Sequence, residues 1–120
     1  MAINSRAKGA RGEREFCDWL EKTFDLKEKP KRNLEQVREG GWDVNVKNVY
    51  FEVKRCEKLH LRAWWLQISN ATPRNGTSVV AFRQNKHNWQ FLITARLIGC
   101  KGGYLLIEEP QFIQFIQPLL

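Results

Sequence analysis

Two short stretches of the chain alternate apolar and polar side chains, Trp42-Asp43-Val44-Asn45-Val46 and Val49-Tyr50-Phe51-Glu52-Val53-Lys54. A period of two is that of a half-buried strand. Lys47-Asn48 between them predicts a two-residue turn in which the Asn tolerates positive φ. Such a turn pairs Val46 with Val49, Val44 with Phe51, Trp42 with Val53 and Asp43 with Glu52. One face of the hairpin is then wholly apolar, and the other carries Asp43, Asn45, Tyr50, Glu52 and Lys54. A longer turn would shift the register and break this pairing.

The rest of the chain extends the pattern to an α-β-β-β-α-β order. From about Ala10 to Phe24, the residues Phe16, Cys17, Leu20 and Phe24 form one helical stripe, with Glu13 on its axis and Glu15, Asp18 and Glu21 off it. Lys31 to Val37 reads as a strand, although Leu34 and Val37 do not alternate. Leu61, Trp64, Trp65 and Ile68 recur at i, i+3, i+4 and i+7, which predicts a helix from about Leu59 to Ala71, closed by Thr72-Pro73-Arg74-Asn75-Gly76. Core packing accounts for the tandem Trp better than base stacking does. Gln67 and His60 flank the stripe and are read as solvated surface. Ser78 to Phe82 reads as a buried strand, 84–88 as a polar turn and Trp89 to Ile93 as its antiparallel neighbour, after which Thr94 can cap a short helix. In the tail, Phe112, Phe115, Ile116 and Leu119 recur at helical spacing after Pro110, giving a helix over about 110–117 that either docks on its own core or forms a dimer surface.

Composition narrows the class. The 120 residues, 42% of them hydrophobic and five of them Trp, suit a single α/β domain spanning 1–120, with its core at about 8–93. No run reaches transmembrane length and the first residues form no apolar signal region, so the expected location is cytoplasmic and nucleoid-associated, with no membrane partner. The three cysteines, Cys17, Cys56 and Cys100, are odd in number and irregularly spaced, which argues against a disulfide framework. A zinc site from Cys56, His60, His87 and Cys100 lacks paired Cys-x-x-Cys spacing.

Charge changes the picture further. The net charge is +7, and the stretches Met1 to Gly12 and Lys58 to Ile107 hold 10 of the 20 Lys and Arg residues and none of the 13 Asp and Glu. The acids are therefore concentrated between basic flanks. That distribution suits a cation-dependent site acting on a polyanion such as DNA, while a generally basic factor, such as one associated with ribosomes, is the plainer reading. The hairpin places Asp43 and Glu52 opposite each other, at about 4.5 to 5.5 Å between Cβ atoms. Like charges at that separation repel, and oxygen ligands beside open positions suit Mg²⁺ or Mn²⁺. Lys54 projects from the same face, two residues on.

Three segments in order carry a family resemblance: Lys8-Gly9-Ala10-Arg11-Gly12-Glu13-Arg14-Glu15-Phe16, then Gly40-Gly41-Trp42-Asp43, then Phe51-Glu52-Val53-Lys54. Together they resemble the PD-(D/E)xK nucleases, and among these the archaeal-type Holliday junction resolvases. One departure is Trp42, which stands where the family has Pro before the Asp. The resemblance spans roughly Lys8 to Ile93 and implies a restriction-endonuclease-like core, with a mixed central sheet flanked by helices. It implies Glu13, Asp43, Glu52 and Lys54 as the catalytic set. Asp43, Glu52 and the Val53 carbonyl would hold Mg²⁺, with Mn²⁺ able to substitute and Glu13 completing the site. Arg11, Arg14, Lys31, Arg32 and Arg55 are the expected phosphate contacts, with Arg32 at the family's basic position on the first strand. The implied substrate is branched DNA, a four-way junction above all, cut by a homodimer. A restriction, repair or nicking nuclease on the same core is the first alternative, and a non-catalytic nucleic-acid-binding module is the second.

Overall fold

Six strands form one mixed sheet whose spatial order follows the chain, β1-β2-β3-β4-β5-β6. The computed structural model describes residues 5–34 and 41–120, with the backbone alone for residues 5–8. Helix α1 (Ser5–Phe24) starts five residues before the expected position and is stopped by Asp25, which takes the left-handed conformation (φ 49) common just past a helix end. Strand β1 (Lys31–Arg32) pairs antiparallel with β2 (Val44–Val46), and β2 with β3 (Val49–Arg55). The crossover helix α2 (Leu61–Ala71) then brings β4 (Thr77–Arg83) parallel to β3. Strands β5 (Gln90–Thr94) and β6 (Tyr104–Glu108) extend the sheet antiparallel, and helix α3 (Glu109–Ile116) closes the chain. No helix among the described residues is long and apolar enough to cross a membrane.

The alternation of β3 divides the molecule into two layers. Val49, Phe51 and Val53 meet Phe16 and Leu20 of α1 and Phe112 and Ile116 of α3 in one cluster. Phe16 lies 5.1 Å from Phe51 and 5.0 Å from Trp89 between ring centroids, and Phe112 stacks on Phe91 at 3.8 Å. On the other face, Trp64 and Ile68 of α2 cover Val80, Phe82 and Leu92. The expected stripes of α1 and α2 are therefore the buried ones, and Trp65, packed 5.7 Å from Tyr104, is core-facing as its spacing required. His60 and Gln67 are exposed.

Three expectations need correction. The strand expected over Lys31 to Val37 ends at Arg32; Leu34 is exposed, and Val37 lies outside the described residues. The hairpin has the expected register, Val46 to Val49 and Val44 to Phe51, but its left-handed residue is Lys47 (φ 50) rather than Asn48. Trp42 does not join the apolar face, because the chain leaves the ladder before it; its ring instead stacks edgewise on Tyr50 at 4.7 Å, in the α2 layer. The tail helix docks on its own core through Phe112 and Ile116, which are fully buried, and Phe115, which is partly so. Strand β6 was not foreseen. Thr94 does cap a short 3₁₀ turn (Ala95–Ile98), its side chain accepting from the Arg96 amide.

Candidate active site

The geometry of Asp43 begins with a local irregularity in β2. Its amide donates to the carbonyl of Phe51 at 2.8 Å, although Phe51 is already the partner of Val44. Two residues then face one, the count of a β-bulge, which bends a strand and re-aims side chains. The Asp43 carbonyl accepts from the Asn33 amide at 2.8 Å, and its carboxylate Oδ2 accepts from the Val53 amide at 2.8 Å. That last bond replaces the backbone partner Val53 would have had if Trp42 had continued the strand. Gly41, at φ 127, supplies the backbone turn into this arrangement, in a region that side chains rarely adopt. Gly40 lies outside the described residues.

Glu52 occupies the neighbouring position on β3 and is 2% exposed. Its Oε1 lies 3.0 Å from the Lys54 ammonium, two residues along the same strand face. Its Oε2 is buried with no hydrogen-bond partner among the described residues. Unpartnered buried charge is costly, and the protonation of the pair shows it. Burial first and the Glu52 charge second push the Asp43 carboxyl up to about 7, against the Val53 hydrogen bond, which lowers it. Burial likewise raises Glu52 above the ordinary carboxylate range, while the Lys54 charge and hydrogen bond oppose the rise. The Glu13 charge adds to both shifts, so three carboxylates feel one another at the point where β2 parts from β3.

Glu13 is buried, as its place on the α1 stripe required, and its carboxylate is held by Arg32. Oε2 accepts two bonds from Arg32, at 3.0 Å from Nε and 2.8 Å from Nη2. Among the described residues, no three His, Cys, Asp or Glu side chains are gathered as a metal-binding group. A divalent cation here would therefore rest first on Asp43 and Glu52, with Glu13 held by Arg32 beside them. This donor set fits Mg²⁺, which is commonly held by one or two carboxylates while water and substrate phosphate fill the remaining positions. The orphaned Glu52 Oε2 is the free acceptor such an ion needs. In an extended strand the N–H and C=O of one residue point to the same side, so the Val53 carbonyl faces the gap its amide shares with Asp43.

The basic residues divide into two groups. Arg32 is occupied by Glu13, and Arg55 pairs with Glu15 at 3.6 Å and donates to Asn85 Oδ1 at 3.0 Å. Arg83, beside Arg55 at the ends of the parallel strands, also pairs with Glu15. Arg32 and Arg55, both expected phosphate contacts, are thus each held by an acid within the chain. Arg11, Arg14 and Lys31 are exposed. The Glu15 clamp, missed in the sequence, draws α1 onto the sheet so closely that a Cβ on Gly12 would lie 2.9 Å from the Arg55 Cβ, whereas Gly9 has open space around it. The signal was present as Glu15 off the apolar stripe, but nothing local linked it to positions 55 and 83. Beside Glu13, burial pushes the Cys17 thiol up to about 11, which keeps it protonated and unreactive. The Cys56 thiol donates to the Lys58 carbonyl at 3.3 Å, and Cys100 is an exposed thiol.

A comparison with protein-family models, curated proteins and solved structures found no match to this chain.

Proposed function

We propose that this protein is a divalent-metal-dependent DNA endonuclease with a restriction-endonuclease-like core of the PD-(D/E)xK type, acting on branched DNA. The observation that carries this reading is the buried carboxylate pair. Asp43 is fixed by three hydrogen bonds, Glu52 keeps one oxygen without a partner, and Lys54 stands on the same strand face with its side chain 31% exposed. A purely structural ion pair would satisfy both oxygens of so deeply buried an acid. The order α1-β1-β2-β3-α2-β4 supports the same reading.

Asp43, Glu52 and the Val53 carbonyl would hold Mg²⁺, which supplies an activated water and charge neutralisation at a phosphate. The protein's own contribution is placement. Val53 N–H fixes the orientation of the Asp43 carboxylate, and Lys54 both holds Glu52 Oε1 and reaches the solvent side, where it can orient a water or neutralise the developing charge. Arg32 holds Glu13 beside the pair, and the exposed Arg11 and Arg14 flank Glu13 on α1 as contacts for the substrate backbone.

Cleavage of four-way junction, flap, nicked duplex and single strand, with Mg²⁺, Mn²⁺ and chelator, tests the proposal. Cutting should require the cation, and Lys54→Ala should reduce it by a factor on the order of 10² while changing affinity little. Near wild-type cutting by Lys54→Ala, Asp43→Asn or Glu52→Gln overturns the site. Binding should weaken steeply with salt, and junctions should outcompete linear duplex through shape. Resolution also calls for two sites on a two-fold axis, hence a homodimer. A monomer without preference for four-way DNA would leave a nuclease of another substrate class.

A further inference from the structure

Arg32, Lys54, Arg55 and Arg83 are each paired with an acid. A second group is not. At the opposite end of the β2–β3 hairpin, a cavity of about 540 Å³ is rimmed by Lys27, Lys29, Lys31 and Lys47, all exposed. No ion pair joins any of the four to an acid among the described residues, although Asp25 and Glu28 also line the cavity. Its floor is apolar, formed by Phe24, Leu26 and Val46. Lysines from three separate segments converge here: the loop after α1, strand β1 and the hairpin turn.

The backbone of Lys47 is left-handed (φ 50), a conformation that favours Gly or Asn, and Asn48 stands immediately beside it. The turn thus presents a long cation where its backbone would prefer a shorter side chain.

We propose that the Lys27, Lys29, Lys31 and Lys47 cavity is a phosphate-binding site for a nucleic-acid strand, remote from the carboxylate pair. The inference builds on the nuclease reading but concerns binding alone. From Asp43 to Lys47 is four residues, roughly 13 Å along an extended strand. That corresponds to three or four nucleotides at about 3.4 Å each. The apolar floor, packed on the α1 and α3 side of the sheet, can take a base or sugar while the lysines hold the strand's phosphates.

The test is equilibrium binding of duplex and four-way DNA in EDTA between about 50 and 200 mM salt, with the full chain. Each phosphate neutralised contributes about −0.9 to the slope of log affinity against log salt. The variant Lys27→Ala/Lys29→Ala/Lys31→Ala/Lys47→Ala should flatten the slope by about two to four. A control of equal charge loss, Arg62→Ala/Arg74→Ala/Lys86→Ala/Lys101→Ala, should flatten it by about one or less. Lys29→Ala/Lys47→Asn, in which the left-handed position receives a better-suited residue, should retain the folded state and flatten the slope by about one to two. Equal effects of the two quadruple variants overturn the proposal, as does a wild type that binds no DNA at 50 mM salt. Thermal stabilisation by inorganic phosphate or a mononucleotide, lost in the lysine variants while their DNA affinity stays intact, also overturns it and marks a small-anion site. If wild type cuts nothing but the slope changes as expected, the cavity stands and the nuclease reading falls.

Discussion

Asp43→Asn should make the metal-free protein more stable at neutral and alkaline pH, a direction opposite to that of most buried substitutions. Asp43 is 7% exposed, and burial together with the Glu52 charge moves its carboxyl from 3.8 to about 7. An unfolded chain gives up this proton near pH 4, whereas the folded protein keeps it until about 7. Between those values the folded state binds the extra proton, so its stability is full below the unfolded pKa and declines as pH rises through 7. Over that interval, at about 1.36 kcal/mol per pH unit, the loss approaches about 4 kcal/mol. Such a sum is a large share of the roughly 5–15 kcal/mol that holds a typical domain together.

Asn carries no charge, yet its side-chain oxygen can still accept the Val53 N–H, and its amide can donate to the orphaned Glu52 oxygen. Urea unfolding in EDTA is the assay. At pH 8 the variant should be more stable by up to about 4 kcal/mol, or about 15 °C in Tm for a chain of this size, and at pH 4 the two proteins should coincide. Added Mg²⁺ should raise the Tm of wild type far more than that of the variant, because the ion stabilises the state that binds it. An equal difference at both pH values, or a variant less stable than wild type at pH 8, would refute the reasoning.

Glu13→Gln should lower cleavage on the order of 10²-fold by releasing Arg32 and shifting the site's geometry. Glu15→Gln should leave cleavage close to wild type and cost about 1 kcal/mol or less, since its pairs with Arg55 and Arg83 are partly solvated; kinetics and urea unfolding on the two variants check the order, and the reverse ranking would sink it. Gly12→Ala should destabilise by roughly 1–3 kcal/mol, because the new methyl would meet the Arg55 Cβ. Gly9→Ala, in open space on the same helix, should stabilise by roughly 0.5–1 kcal/mol, and equal unfolding midpoints for the two would contradict the close approach of α1 to β3.

The elements that were legible in the sequence are those whose signal is local. Alternation gave β3 and its register with β2, and the i, i+3, i+4, i+7 spacing gave both long helices together with the inward placement of Glu13. What escaped depends on contacts between distant segments. The bulge at Asp43 exists because the Phe51 carbonyl takes a second amide, and no alternation rule shows where a strand will stop following its partner. The same bulge is why Trp42 left the apolar face. Likewise, the Glu13–Arg32 and Glu15–Arg55–Arg83 pairings turn expected phosphate ligands into internal counterions, and partner choice over 19 to 68 residues of chain is invisible to spacing. Strand β6 was missed because it lies at the edge of the sheet: Leu105 and Ile107 pack on the core, but Leu106 between them is half-exposed, so Leu-Leu-Ile shows no alternation.

A site built from buried, mutually repelling acids must be held by something stronger, and β3 supplies both parts. Its odd-numbered residues Val49, Phe51 and Val53 are sealed under α1 and α3, while its even-numbered residues Tyr50, Glu52 and Lys54 belong to the other face. A slip of one residue would drive Glu52 and Lys54 into the aromatic cluster around Phe16 and lift Phe51 out of it, at a cost of several kcal/mol for the ring alone. The apolar half of the strand therefore pins the register that the charged half opposes. The three hydrogen bonds to Asp43 add a second restraint exactly where the ladder ends and packing alone would no longer fix the carboxylate. Repulsion that would unfold a freestanding hairpin is thus retained in the folded protein, and a bound cation is what would discharge it.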